Sequence, residues 1–233
     1  MAIFAIGDLH LPGKEDKPMN VFGAQWENHF EMIQAHWRQL VGENDVVLIP
    51  GDISWAMYQE NAMEDLEAIA ALPGQKILLK GNHDYWWSSI AKVRNALPKG
   101  MHAIQNDSIV MGNKVVCGTR GWTMPTEGAP LVPAEQKIFN REVIRLQITL
   151  EHAAKQADGR PLIAMMHFPP LLADGVETAF SNMLERAGVE RVVYGHLHGV
   201  GIRNGFTGER NGVEYYLTSC DALEFSPAYI CEI

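Results

Sequence analysis

Five runs of mostly apolar residues punctuate the chain, at positions 2–6, 46–50, 76–80, 161–166 and 191–194. Each has the length of a strand buried on both faces rather than of a helix. Between the first two, Trp26, Phe30, Ile33, Trp37 and Leu40 recur at intervals of four, three, four and three, which is one face of an amphipathic helix. A second strand is expected at 45–50 and a second helix at 57–71, with Met63, Leu66 and Ile69 or Ala70 turned inward. Pro73-Gly74 ends that helix before a third strand at 76–79, because neither residue continues a helix. Such alternation marks an α/β layered fold. From 101 to 119 the pattern changes to short runs joined at Asn106-Asp107 and Gly112-Asn113, which read as hairpins, so the sheet is expected to be mixed. A long helix is predicted at 134–155 from the spacing of Phe139, Val143, Leu146, Leu150 and Ala153. Strand, helix and strand then recur through His198, and terminal strands are expected around 215–219 and 228–230. The Pro- and Gly-rich stretch 123–133 is the one long candidate loop. With no repeat or linker, residues 1–233 read as one domain.

The residues just after each apolar run carry the chemistry. The runs end in Asp8 and His10, in Asp52, in Asn82-His83-Asp84, in His167, and in His196 and His198. Ligand-type side chains delivered from strand ends converge in space. Carboxylate, imidazole and amide oxygen suit borderline-to-hard divalent ions such as Mn, Fe or Zn, whereas softer metals call for thiolates or thioethers. Asp8, His10, Asp52, Asn82, His167, His196 and His198 exceed what one tetrahedral ion takes and suit two ions bridged by one carboxylate. His29, His36, His102 and His152 lie outside these segments and read as hydrogen-bonded structural residues.

Composition removes several alternatives. The 233 residues carry a net charge of −9, which disfavours tracking a nucleic-acid backbone, since that mode needs clustered Lys and Arg. Cys117, Cys220 and Cys231 lack CxxC spacing, so they read as small buried side chains rather than disulfides or thiolate ligands. No apolar run approaches the roughly 20 residues that cross a bilayer. The start has neither a basic segment nor a cleavage site, and the location expected is cytoplasmic.

The ordered set Asp8-x-His10, Gly51-Asp52, Gly81-Asn82-His83-Asp84, His167 and Gly195-His196-x-His198 resembles the motifs of the calcineurin-like metallophosphoesterases, from residue 8 to residue 198. The resemblance implies a four-layer sandwich, two mixed β-sheets face to face with helices outside, and a site at the carboxyl ends of the strands. It also implies that Asp8, His10, Asp52 and His198 hold one ion, that Asp52, Asn82, His167 and His196 hold the second, and that Asp52 bridges them. One departure is Trp55, where many relatives carry a polar residue, and it bears on substrate class.

Electrostatics explains why such a site takes phosphate esters. Two divalent ions bring four positive charges and Asp8 with Asp52 return two, leaving a local surplus of about +2 for an anion. Ions about 3.5–4 Å apart can activate a bridging water as the hydroxide nucleophile and stabilise both the attacking and departing oxygens. Mn is the expected metal, with Fe or Zn as alternatives. By the same resemblance His83 faces substrate, and it is the candidate general acid, oriented by Asp84. Arg120 is a candidate phosphate contact, and Trp55 and Trp122 are candidates to stack on a flat substrate group. The expected activity is hydrolysis of a small phosphate diester or monoester. The alternatives are a catalytically silent scaffold, which retention of the full ligand set and His83 opposes, and a nuclease on polymeric nucleic acid, which the absence of a basic surface opposes.

Overall fold

Strand residues alternate between two apolar environments, which is why their runs along the chain are unbroken. The computed structural model describes residues 1–15, 17–126 and 129–233. Its first sheet has the order β11-β1-β2-β3-β4, built from β1 (Ala2–Ala5), β2 (Val46–Ile49), β3 (Gln75–Leu79), β4 (Met101–Ile104) and the C-terminal β11 (Ala228–Glu232). The second has the order β5-β6-β7-β8-β10-β9, from β5 (Asp107–Met111), β6 (Lys114–Thr119), β7 (Leu162–Met166), β8 (Val189–Tyr194), β9 (Gly208–Arg210) and β10 (Val213–Leu217). Both sheets are mixed. Parallel pairs run through β1-β2-β3-β4 and through β6-β7-β8-β10, with antiparallel strands at the edges.

The side-chain period of two divides the core into three apolar layers. Ile3, Ala5, Val46, Leu48, Ile77 and Leu79 of the first sheet meet Val116, Ile163, Met165 and Val193 of the second. Their neighbours Phe4, Val47, Ile49 and Leu78 face the other way, onto α1 (His29–Leu40) and α2 (Gln59–Ala70). Val115, Cys117, Ala164, Met166, Val192 and Tyr194 face α4 (Pro133–Ala157) and α5 (Ala179–Arg186). The result is the expected four-layer sandwich, helices outside and sheets face to face.

Three local readings differ from expectation. Trp26 belongs to a short 3-10 turn, Ala24–Trp26, because Asn28 adopts a left-handed conformation (φ 54°) that starts α1 afresh at His29. Asn106-Asp107 is not a hairpin: β4 pairs with β3 and β5 with β6, so this turn carries the chain from one sheet to the other. Asn106 is left-handed (φ 61°), and its side chain accepts the Thr119 hydroxyl at 2.9 Å, docking the turn on β6. The short helix α3 (Ile90–Ala96), whose Ser89 cap accepts from Lys92 N–H, has too few turns to show a period. Two residues of the expected loop 123–133, at 127 and 128, lie outside the described residues. No helix among the described residues is long and apolar enough to cross a membrane.

Candidate metal centre

The loops that leave β1, β2, β3, β7 and β8 meet at the carboxyl edge of both sheets, and their backbones stitch to one another. Asp8 N–H donates to Gly51 O (2.9 Å), His10 N–H to Asp52 O (3.0 Å) and Gly195 N–H to His167 O (3.1 Å). Gly7 N–H reaches Thr218 O at the far side of the second sheet. Four candidate ligands, Asp8 (φ 56°), His10 (φ 46°), Asp52 (φ 52°) and His196 (φ 75°), hold left-handed conformations. Such positions cost about 1–3 kcal/mol each and concentrate at functional sites.

Glycine precedes Asp52, Asn82 and His196 for a steric reason. A Cβ on Gly51 would lie 2.7 Å from Gly81 Cα and from His167 Nδ1, while one on Gly81 would collide with Asp52 and one on Gly195 with the Asp8 carboxylate. Glycine alone permits this approach of backbone to ligand.

The side chains converge as the sequence indicates. Asp8, His10 and His198 form one group of donor atoms mutually within 4.8 Å, and Asp8, Asp52 and His167 form another. Asp52 Oδ2 lies 3.9 Å from His10 Nε2 and 3.5 Å from His167 Nε2, between the two groups. His167 Nε2 approaches Asn82 Oδ1 at 2.7 Å and His196 Nδ1 at 3.3 Å, and His10 Nε2 approaches His198 Nε2 at 3.2 Å. Asp8, His10, Asp52 and His167 are all buried. This donor set fits divalent cations, because a hydrogen bond between facing imidazoles uses the lone pair of only one of the two nitrogens, whereas cations between them engage both lone pairs.

Protonation follows the same logic. Burial pushes Asp52 up to about 7, helped by the charges of Asp84 and Asp8 and opposed by His167. Burial holds His10 down at about 3 and His196 at about 4, so both are neutral ligands across the physiological range. His198 goes the other way, to about 10: burial disfavours its charge, but the hydrogen bonds it donates to Asp221 and Asp8 outweigh it. Burial would raise Asp8, yet the bond from His198 and the imidazoles around it hold it well below the usual carboxylate range. Carboxylates this deep call for positive charge beside them.

Asp221 escaped the sequence reading. It accepts His198 Nδ1–H at 2.8 Å and Gly199 N–H at 2.9 Å, turning Nε2 toward the cluster. Pro50 O does the same for His167 Nδ1 at 3.0 Å. These are the outer partners that metal-binding histidines use. A lone Ser-Cys-Asp carries no spacing signal, and the Pro50 contact is made by backbone.

His83 lines a cleft of about 260 Å³ with His10, Asp52, His198, Trp26 and Trp55. Its backbone N–H donates to Asp52 Oδ1 at 2.8 Å, and its Nδ1 is buried without a partner among the described residues. Burial and His167 lower its basicity, while Asp84 and Asp8 raise it. The expected orientation of His83 by Asp84 is corrected: the Asp84 oxygens instead accept from the N–H groups of Asp52, Ile53, Ser54 and Gly81 and from the Trp86 indole, at 2.8–3.2 Å. A carboxylate surrounded by five donors binds the Asp52 loop to the Asn82 loop.

Trp55 lies in the cleft, stacked on His10 (4.9 Å, 19°) and 4.5 Å from the His83 ring. Trp122 packs on Phe168 at 5.1 Å and lines a separate cleft that shares His196. Arg120 is not among the residues that line the His83 cleft. It sits over the Trp122 ring at 4.6 Å and pairs with Glu142 at 3.5 Å, drawn there by a fully buried carboxylate. The four histidines read as structural, His29, His36, His102 and His152, bond to Leu9 O, Phe225 O, Gln75 and Ser108, respectively.

Comparison with known proteins bears on the family and the fold. A family model described as calcineurin-like phosphoesterase matches residues 1–200. No curated protein matches the chain. Among solved structures, the phosphopantetheinyl hydrolase of Mycobacterium tuberculosis is similar at 15% identity and TM-score 0.64, covering 98% of this chain and 95% of that one. A protein of unknown function from Aquifex aeolicus is similar at 14% identity and TM-score 0.52, with the same coverage of 98% and 95%. At these identities the likeness concerns the fold.

Proposed function

From its place in the calcineurin-like phosphoesterase family, to which this chain belongs, we propose that it hydrolyses a small phosphate ester, diesters ahead of monoesters. Asp8, His10, Asp52 and His198 would hold one divalent ion, and Asp52, Asn82, His167 and His196 a second. Mn is the ion we assign, with Fe or Zn the alternatives, because a set this rich in imidazole is a poor match for Mg. When bound, two such ions supply positive charge for the phosphate oxygens and activate the attacking water.

The observation that carries this reading is the meeting of two donor groups, one around Asp8, His10 and His198 and one around Asp8, Asp52 and His167, beneath an open cleft. The chain's own residues divide the remaining work. Asp84 and the strand-end glycines hold the ligand loops together. His83, at the cleft wall, is the proton donor to the leaving oxygen. Burial disfavours its protonated form, so the negative charge of a bound ester is what holds the proton until transfer. Trp55 and Trp26 present apolar faces to the leaving group, and a diester supplies the organic arm such walls favour.

The test is metal-reconstituted protein on a matched panel of aryl and alkyl phosphate diesters and monoesters. Chelation is expected to abolish turnover, and Mn to restore it at least as well as Mg. His83→Ala is expected to retain metal, to lose part of its rate on a nitrophenyl ester and to lose on the order of 10²–10⁴-fold on an alkyl ester, whose alkoxide needs the proton. Absence of turnover on every ester by reconstituted protein overturns the reading, and equal losses on both leaving groups remove His83 from the acid role.

A further inference from the structure

A second polar cavity, of about 190 Å³, lies between the end of β3, the turn after β4, the end of β6 and α4. Lys80, Arg120, Arg141 and Arg145 line it, four of the 19 Lys and Arg in a chain of net charge −9. Glu142 is the single acid on its wall among the described residues, so these side chains carry a surplus of four minus one, or +3.

The arrangement is unbalanced as well as basic. Glu142 is fully buried, and its Oε1 faces Arg145 at 2.6 Å, Arg120 at 3.5 Å and Arg141 at 3.9 Å. One carboxylate oxygen therefore gathers three guanidinium groups that repel one another, and a network formed for stability would carry matching acids. Arg120 is braced over the Trp122 ring, and its buried Nε–H, like the single acceptor oxygen Glu142 Oε2, has no partner among the described residues. Gln105 spends its carbonyl oxygen on the Trp87 indole at 2.8 Å, which leaves its NH₂ group as a further donor. Donors in excess, planar forks and a positive field are what a tetrahedral oxyanion needs.

We propose that this cavity binds a phosphate-sized oxyanion, free phosphate or the terminal phosphate of a larger ligand, at a site separate from the metal centre. None of its lining residues belongs to the proposed ligand set, yet two of them adjoin it, one through backbone hydrogen bonds and one along the chain. The Arg120 carbonyl accepts the N–H groups of His167 (3.0 Å) and Phe168 (2.9 Å), and Lys80 leads directly into Gly81-Asn82. An anion here would brace the two segments whose Asn82 and His167 side chains meet.

The experiment is calorimetric titration of the full chain, as purified and after chelation, with inorganic phosphate and separately with glycerol phosphate, against chloride at matched ionic strength. Chelation removes the cations that would draw phosphate to the metal centre, so binding that survives chelation and weakens in the cavity variants reports the cavity. Phosphate is expected to bind the chelated protein and to shift its arginine Nε–H resonances, a wild-type readout independent of any variant. Arg141→Gln and Lys80→Gln are each expected to weaken that binding about tenfold, the loss of one charge-assisted bond. Arg141 is half exposed and makes the longest contact to Glu142, so its variant keeps the Arg145–Glu142 pair. Tighter binding of either phosphate than of chloride supports the site, and their ranking tells free phosphate from a terminal phosphate. Binding of both phosphates no tighter than chloride, or wild-type affinity in the Arg141→Gln Lys80→Gln double variant, overturns it.

Discussion

At the scale of single residues, the proposed ligand set works only if each imidazole presents the correct nitrogen. Asp221 fixes His198 through Nδ1 at 2.8 Å and so leaves Nε2 for the cluster. Removing such an outer partner typically weakens metal affinity by about 10–100-fold. Asp221→Ala is expected to fall in that range in competition with a chelator, and Asp221→Asn, which keeps an acceptor but loses the charge, to recover part of it. Wild-type affinity in Asp221→Ala would show that His198 is not a ligand or is oriented otherwise.

At the scale of elements, the strand-end loops are held by contacts that no side-chain change elsewhere can replace. A Cβ on Gly81 would run into the backbone and carboxylate of Asp52, whereas one on Gly201 meets nothing within 4 Å. Forcing the β2 and β3 loops apart would also strain the five donors around Asp84. Gly81→Ala is therefore expected to lower stability by about 1–3 kcal/mol, the usual range for overpacking, and to reduce metal content measured by elemental analysis. Gly201→Ala, the control, should stay within about 0.5 kcal/mol of wild type. Equal melting curves and metal content for the two variants would count against the steric account.

For the whole molecule, the two sheets are joined at one end by their shared apolar layer and the ligand loops of both. Ions held there, as we propose, would bind the folded chain and not the unfolded one, and so would stabilise it in proportion to the logarithm of concentration over Kd. Protons compete for the same atoms. Without a cation, His198 (about 10) and Asp52 (about 7) both hold a proton at pH 6, while His10 and His196 are neutral above about 4. Metal binding therefore releases protons and tightens as pH rises. The gap in Tm between metal-loaded and metal-free protein is expected to widen from pH 5 to pH 8, reaching roughly 10 °C at ion concentrations far above Kd. A gap that narrows or stays constant in scanning calorimetry would contradict this protonation scheme.

Much of this was legible along the chain, because period-two and period-3.6 burial is written residue by residue. The unbroken runs at 46–50 and 161–166 announced doubly covered strands, and the spacing of Ile33 and Trp37 announced α1. The order of Asp8, His10, Asp52, Asn82, His167, His196 and His198 at strand ends announced that ligand-type side chains would cluster. What required the tertiary structure was every relation set by distance in space. Asn106-Asp107 looks like any tight turn, and only strand pairing shows that it passes between sheets. The neighbours His83 and Asp84 are adjacent in the chain yet point to different tasks, since loop geometry turned the Asp84 carboxylate toward backbone donors from Asp52 to Ser54. Asp221 lies 23 residues from His198, and Arg120 lies 22 from Glu142. Local sequence sets which face of an element is apolar; which polar groups meet depends on how those faces pack, and packing is a property of the whole chain.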